Sequence, residues 1–209
     1  MKTPDRGDPA LASTPTGGNS VMFDSEDILS RALSAAMAGE LALREALDEL
    51  PAPIYVTDTD GVVTYFSPAC IDFTGRRPEV GKDRWCVTWR LYTNAGEFLP
   101  HDECPMAVAI NSQRPVRGVT AVAERPDGTR VVFRPHPTPI FGDDGQFIGA
   151  VNFLEDVTDE VRSADFLAQA RRCRRLGERV LDEQAAAILL KMADEYQSKA
   201  ASLVGREHV

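Results

Sequence analysis

Residues 58–75 read DTDGVVTYFSPACIDFTG, and together with IYVT at 54–57 they decide the fold. Two short runs rich in β-branched and aromatic residues flank the pair Asp60-Gly61, a dipeptide suited to the tight turn of a β-hairpin. PACIDFTG (68–75) then reads as a short helix entered at proline and closed by glycine. Downstream, Pro105 opens a second short helix, MAVAINSQ, at the position where its missing amide hydrogen costs nothing. Three strand candidates follow, at 116–124, 129–138 and 147–156, separated by Asp127-Gly128 and by GDDG at 142–145. Strand, strand, short helices and three more strands make an α+β domain, an antiparallel sheet with short helices on one face. In the last strand Phe147, Val151 and Phe153 alternate with Ile148, Ala150 and Leu154, so neither side is polar. A sheet wet on one side would alternate apolar with polar residues. Both faces are therefore expected to be covered, one by the domain's own helices and the other by a flanking helix or a second subunit.

Outward from this centre the period becomes helical. Residues 24–50 read as an amphipathic N-terminal helix: Asp24 can cap it, Phe23 and Ile28 form a hydrophobic staple, and Pro51 and Pro53 end it. Leu29, Leu33, Ala36, Leu43, Leu47 and Leu50 follow a 4-3 spacing broken at Glu40. Such a stripe serves either as a dimer seam or as a helix laid on its own domain. Residues 1–23 are expected to be a disordered tail: eleven of the first twenty are Gly, Pro, Ser or Thr, too little apolar surface to offset ordering. Residues 160–209 read as a C-terminal helical extension with a bend or break at Gly177. Its stripes are Phe166, Ala170, Cys173 and Val180, then Leu181, Ala185, Ile188, Met192 and Tyr196.

Composition limits the functions on offer. The 209 residues carry 23 Lys and Arg against 32 Asp and Glu, a net charge of −9. That balance argues against a large phosphate-binding face and hence against nucleic acid. The basic run RRCRR (171–175) is read as a solvated helix face. No stretch approaches the length of a membrane span, and the first residues lack the apolar core of an export signal. Cys70, Cys86, Cys104 and Cys173 form neither a CxxC pair nor a disulfide framework, which suits a reducing cytoplasm.

Three segments in order resemble the PAS sensor-domain family: DTDGVVTYFSPACIDFTG its opening strand–turn–strand and first helix, RPDGTRVVF (125–133) its late hairpin, and GDDGQFIGAVNFLEDVTD (142–159) its last strand and closing Asp-Val-Thr. The resemblance spans about residues 45–160, and residues 51–159 are taken as the domain. It implies a five-stranded antiparallel sheet cupping a small cavity, frequent dimerisation, and a sensory role whose ligand it does not specify. Ser67 stands where the family often has Asn, at little expected cost to the fold.

The remaining chemistry is sparse. GKDRWCVTWRLY (81–92) sits where light-sensing relatives carry a flavin-reactive cysteine, but Trp85 and Val87 flank Cys86 in place of the Asn and Arg of that motif. Haem-binding relatives place a histidine within or just after the second helix, where this chain reads INSQRPVRG; His101 and His136 lie elsewhere. Flavin and haem are thus not expected, and His101 with Cys104 falls short of the four ligands of a structural zinc site. Trp85, Trp89, Tyr92 and Phe98 form either an aromatic cavity wall or ordinary core. Asn152, on the last strand, must find a partner: a ligand, a water or a neighbouring backbone group. Trp85, Trp89, Tyr92 and Asn152 are the pocket candidates. No nucleophile elbow, phosphate loop or metalloprotease motif appears, so no enzyme is expected. The expectation is a stand-alone, homodimeric, cytoplasmic sensory protein. It would relay a ligand or partner signal through Leu29, Leu33, Leu43 and Leu47 on one side, and Asp156 and Thr158 on the other. A signalling protein such as a histidine kinase would receive it; the alternative is a ligand-free structural adaptor.

Overall fold

The computed structural model describes residues 25–38, 47–48, 50 and 52–204. The tail at 1–23, Leu43 and the middle of the N-terminal helix lie outside the described residues. Eight strands form one antiparallel sheet: β1 (Ile54–Thr57), β2 (Val63–Phe66), β3 (Arg90–Tyr92), β4 (Phe98–Leu99), β5 (Ala121–Glu124), β6 (Arg130–Pro135), β7 (Thr138–Phe141) and β8 (Phe147–Asp156). Their order is β2-β1-β8-β6-β5-β3-β4, with β7 also pairing β8. The helices are α1 (Ser25–Ala38), α2 (Ala69–Thr74), a 3-10 turn at His101–Glu103, α3 (Pro105–Ser112), α4 (Thr158–Gly177) and α5 (Glu183–Val204).

Three strands exceed the expected five. The short β3 and β4 form a small hairpin beside β5. The run at 129–138 divides at His136-Pro137, because proline cannot donate to the ladder, and resumes as β7 on the same strand β8. The strand expected from Val116 begins only at Ala121.

Strand β8 is the spine. Its residues Ala150–Phe153 pair with β1 and Leu154–Asp156 with β6. Gly149 sits at φ 150°, and a Cβ there would stand 2.1 Å from the Thr57 carbonyl oxygen, so only glycine lets β1 lie this close. The pairing with β7 slips beside it: Ile140 faces Gly149 but Phe141 faces Phe147. This bulge inverts the alternation. Phe147 therefore packs with the concave-side residues and Ile148 is exposed, the reverse of the expected faces.

Two apolar layers sandwich the sheet. On the concave side Tyr55, Phe133 and Leu154 meet Phe73 from α2 and Met106, Ala107 and Ile110 from α3. On the other side Val56, Val151 and Phe153 meet Ile28, Ala32 and Ala35 of α1, together with Leu47 and Leu50. The 4-3 spacing of Ile28, Ala32 and Ala35 keeps one face of α1 on the sheet. Leu29 and Leu33 lie partly buried against this same layer and Leu47 is fully buried. In this chain these residues lie against their own domain's sheet.

Helices α4 and α5 form an antiparallel hairpin. Asp182 caps α5 by accepting the amides of Gln184 and Ala185, so the break near Gly177 falls where helix propensity placed it. Ala170 and Cys173 pack on Ala193, the Ser163 hydroxyl donates to the Ala200 carbonyl, and Phe166 stacks on Tyr196. The second stripe does not follow suit: Leu181, Ile188 and Met192 face solvent, Leu181 completely.

Candidate functional site

The concave side of the sheet gathers a set of polar groups that the strand order brings together from distant parts of the chain. Strand alternation points Tyr55, Thr57, Asn152 and Leu154 inward. The Asn152 amide donates to the Tyr55 hydroxyl at 3.0 Å, and that hydroxyl donates to the Trp85 carbonyl at 2.9 Å. The Asn152 carbonyl oxygen accepts the His136 backbone amide at 2.9 Å. The partners of Asn152 are thus a tyrosine and a backbone group. Burial pushes the Tyr55 phenol well above its usual range, with the nearby Cys86 and Cys104 adding to the effect, so it stays protonated.

Two cysteines border the same carbonyl. The Cys104 thiol points at the Trp85 carbonyl at 3.8 Å, and the Cys86 sulfur lies 3.1 Å from the Thr88 hydroxyl. Both residues are buried. The neighbouring Cys104 thiol lowers Cys86 below the ordinary thiol range against the opposing effect of burial; His101 and Thr88 assist. Cys104 is correspondingly raised, by Cys86 and by burial. Thr57, on β1, has the one buried side-chain oxygen without a partner among the described residues.

The expected pocket residues divide. Asn152 lies inside, as read. Trp85 covers the β1–β2 turn: half buried, in the left-handed region at φ 68°, it lies where a Cβ on Gly61 would stand 2.2 Å from its ring, and the Arg84 guanidinium lies over that ring. Trp89 is 50% exposed and lines no interior. Tyr92 faces outward because Leu91 takes the inward position on β3; Phe98, Arg130 and Glu124 surround it. The aromatic-wall reading fails for these two residues, since a three-residue strand sends only its middle side chain inward.

The Cys86 sulfur is buried and lies 3.1 Å from the Thr88 hydroxyl. His136 stacks on Phe153 on the opposite side of the sheet and bonds Glu155, so it cannot ligate anything within. Among the described residues no three His, Cys, Asp or Glu side chains group to hold a metal ion. Ser67 is fully buried, accepts the Ile54 amide at 3.0 Å and donates to the Ala52 carbonyl at 2.7 Å, so the substitution at this position leaves the strand entry tied.

At the far end of β8 the sheet runs directly into α4. The Asp156 carboxylate accepts the Thr158 amide at 2.9 Å, an Asx turn that starts the helix. The Thr158 hydroxyl accepts the Val132 amide at 3.0 Å, tying the first residue of α4 to β6. Arg134, also on β6, bridges Glu155 of the strand and Glu160 of the helix, each at 3.1 Å. A cleft of 450 Å³ opens beside this junction, lined by Arg125, Arg130, Asp156, Thr158, Asp159 and Arg162.

A family model described as PAS domain matches residues 51–159, just over half of the chain. This chain belongs to the PAS family. Solved structures similar to this chain are of low identity, with TM-scores below 0.5. A PAS domain from Colwellia psychrerythraea is 18% identical, over 55% of this chain and 92% of that one, with a TM-score of 0.37. The PAS domain of the fruit-fly ELK potassium channel is 12% identical, over 56% and 94%, with a TM-score of 0.45. An RNA-binding Light-Oxygen-Voltage receptor is 19% identical, over 96% of this chain but 43% of that one, with a TM-score of 0.42. No match was found among curated proteins. Membership supports a sensory or regulatory role in general terms. No helix among the described residues is long and apolar enough to cross a membrane.

Within a PAS frame, sequence reasoning missed Tyr55, Thr57, Thr88 and Cys104. Period-2 alternation in IYVTD places Tyr55 and Thr57 on one face, which was a usable signal. The approach of residues 85–88 to Cys104 had none, because both lie in loops.

Proposed function

We propose that this PAS protein relays a change in its interior polar cluster to the α4–α5 hairpin and thence to a partner protein, without catalysing a reaction. The observation that carries this reading is the double tie at Thr158: one residue starts α4 and bonds β6, while β8, which holds Asn152, continues into it. A helix fixed to the sheet in this way changes its packing whenever β6 and β8 shift. A ligand or partner moves the balance only if it binds one arrangement more tightly. The solvent-facing Leu181, Ile188 and Met192 offer the output surface, where a second copy of the chain or a signalling protein such as a histidine kinase would dock.

The test is hydrogen exchange on the full chain, comparing wild type, Tyr55→Phe and the double variant Tyr55→Phe/Thr158→Val. Faster exchange in α4 and α5 of Tyr55→Phe, reduced in the double variant, is the expected result. Changes confined to residues before Val157 would overturn the relay.

A second reading, a small molecule held inside, has one observation in its favour: the unpartnered Thr57 hydroxyl on the concave face.

A further inference from the structure

His136 bonds the interior cluster with its backbone and the α4 junction with its side chain. Its amide donates to the Asn152 carbonyl oxygen at 2.9 Å, while its ring Nε2 lies 3.0 Å from Oε2 of Glu155. That same Oε2 accepts Nη1 of Arg134 at 3.1 Å, and Nη2 of Arg134 reaches both oxygens of Glu160 at 3.1 Å. His136, Glu155, Arg134 and Glu160 thus form one chain from the sheet to the third residue of α4. The imidazole is 14% exposed and stacked on Phe153 at 5.5 Å, which holds it in line with Glu155.

We propose that proton uptake by His136 is an input to this protein, tightening the hold of β6 and β8 on α4 as pH falls.

Imidazole is the side chain whose ordinary change of charge falls between about pH 5 and 8. A carboxylate only accepts hydrogen bonds, so the neutral ring carries its hydrogen on Nε2 and leaves Nδ1 bare. In that state one guanidinium stands between two carboxylates, and the chain keeps an excess negative charge. The incoming proton binds Nδ1, and the Nε2 bond to Glu155 becomes charge-assisted. The excess charge is cancelled, which relieves the repulsion between Glu155 and Glu160. Oε2 of Glu155 then faces two cations, and Arg134 turns more fully to Glu160 on the helix.

The other charges near the ring act less directly. Arg117 is occupied by the Pro137 carbonyl and the Thr138 hydroxyl. Helix α1, which packs in the same apolar layer as Phe153, carries Glu26, Asp27 and Arg31, all exposed to solvent. The onward effect on α5 rests on the relay proposed above; the effect on the start of α4 does not.

The experiment follows the histidine rings and the backbone amides of the full chain by NMR across about pH 5 to 8, with exchange rates corrected for their intrinsic pH dependence. The His136 ring is identified by its loss in His136→Gln. The neutral ring should show its hydrogen on Nε2. Its titration should coincide with that of the Val161 amide, which bonds the Val157 carbonyl in the first turn of α4. Protection of that amide should rise roughly twofold to fivefold on protonation, the range of a partly exposed ion pair. The rise should vanish in His136→Gln. In Glu160→Gln, altered at a 58% exposed side chain, the ring should still titrate while Val161 stays silent. A ring that titrates with Val161 unmoved in the wild type, or a pH response at Val161 that survives His136→Gln, would overturn the proposal. If His136→Gln does not fold, Glu160→Gln decides by the same criterion. A response that reaches Val161 but leaves α5 unchanged supports the proton input and counts against the relay.

Discussion

Asn152 and Tyr55, ninety-seven residues apart in sequence, meet through a 3.0 Å hydrogen bond in which the amide donates to the phenol, both side chains buried. The bond fastens the central strand of the sheet to its neighbour from the inside. The same phenol donates to the Trp85 carbonyl, so one oxygen connects β1, β8 and the loop that carries Cys86.

Tyr55→Phe removes that oxygen, leaves a buried Asn152 amide hydrogen unpaired, and leaves the Trp85 carbonyl with only the Cys104 thiol at 3.8 Å. A lost buried partner costs about 1–3 kcal/mol, and urea unfolding of the variant should show a loss in this range at unchanged m-value. A loss below about 0.5 kcal/mol would mean that water replaces the hydroxyl and that the network adds nothing net.

Thr57→Val tests the orphan hydroxyl. Removing an unsatisfied buried group at nearly constant shape should stabilise the fold by about 1 kcal/mol. Destabilisation by a similar amount in urea unfolding would instead show that the hydroxyl has a partner in solution, and would favour a bound small molecule.

Leu47→Asp places a carboxylate at a fully buried position between the sheet and α1. The expected outcome is a loss of about 3 kcal/mol or more, read by thermal or urea unfolding. A variant of wild-type stability that changes only its sedimentation coefficient would return this residue to a dimer seam.

Cys70 should be inert in the native chain. Burial pushes its thiol up to about 12 from 9.0, so at pH 8 it is protonated, and alkylation of native protein should spare Cys70 while alkylation in denaturant labels it. The sign for stability follows: below pH 9 folded and unfolded chains both hold the proton, whereas between 9 and about 12 only the folded chain does. This thiol therefore makes stability fall as pH rises through that window. Equal labelling of native and denatured chains at pH 8 would contradict the burial.

Much of the architecture was legible because it is local. DTDGVVTYFSPACIDFTG carries its own turn, strands and glycine-closed helix, and Gly177 marks the end of α4 by helix propensity. The apolar alternation on both sides of 147–156 correctly announced a strand covered on both faces. It misassigned Phe147 and Ile148 because a bulge depends on the partner strand, which the sequence of one strand does not contain. Trp89 and Tyr92 misled for a similar reason: aromatic density says that apolar surface exists, whereas facing is settled by strand pairing.

The sequence by itself determined the order of strands and helices and the inward Asn152, since periodicity, turn residues and capping act over a few neighbouring positions, and its resemblance to PAS domains supplied the frame. Tertiary structure alone decided that α1 rests on its own sheet, that Asn152 is answered by Tyr55, and that the Cys104 thiol approaches the Trp85 carbonyl. Those relationships join residues tens of positions apart through strand order and loop approach, and their energies exist only once the chain has closed around them.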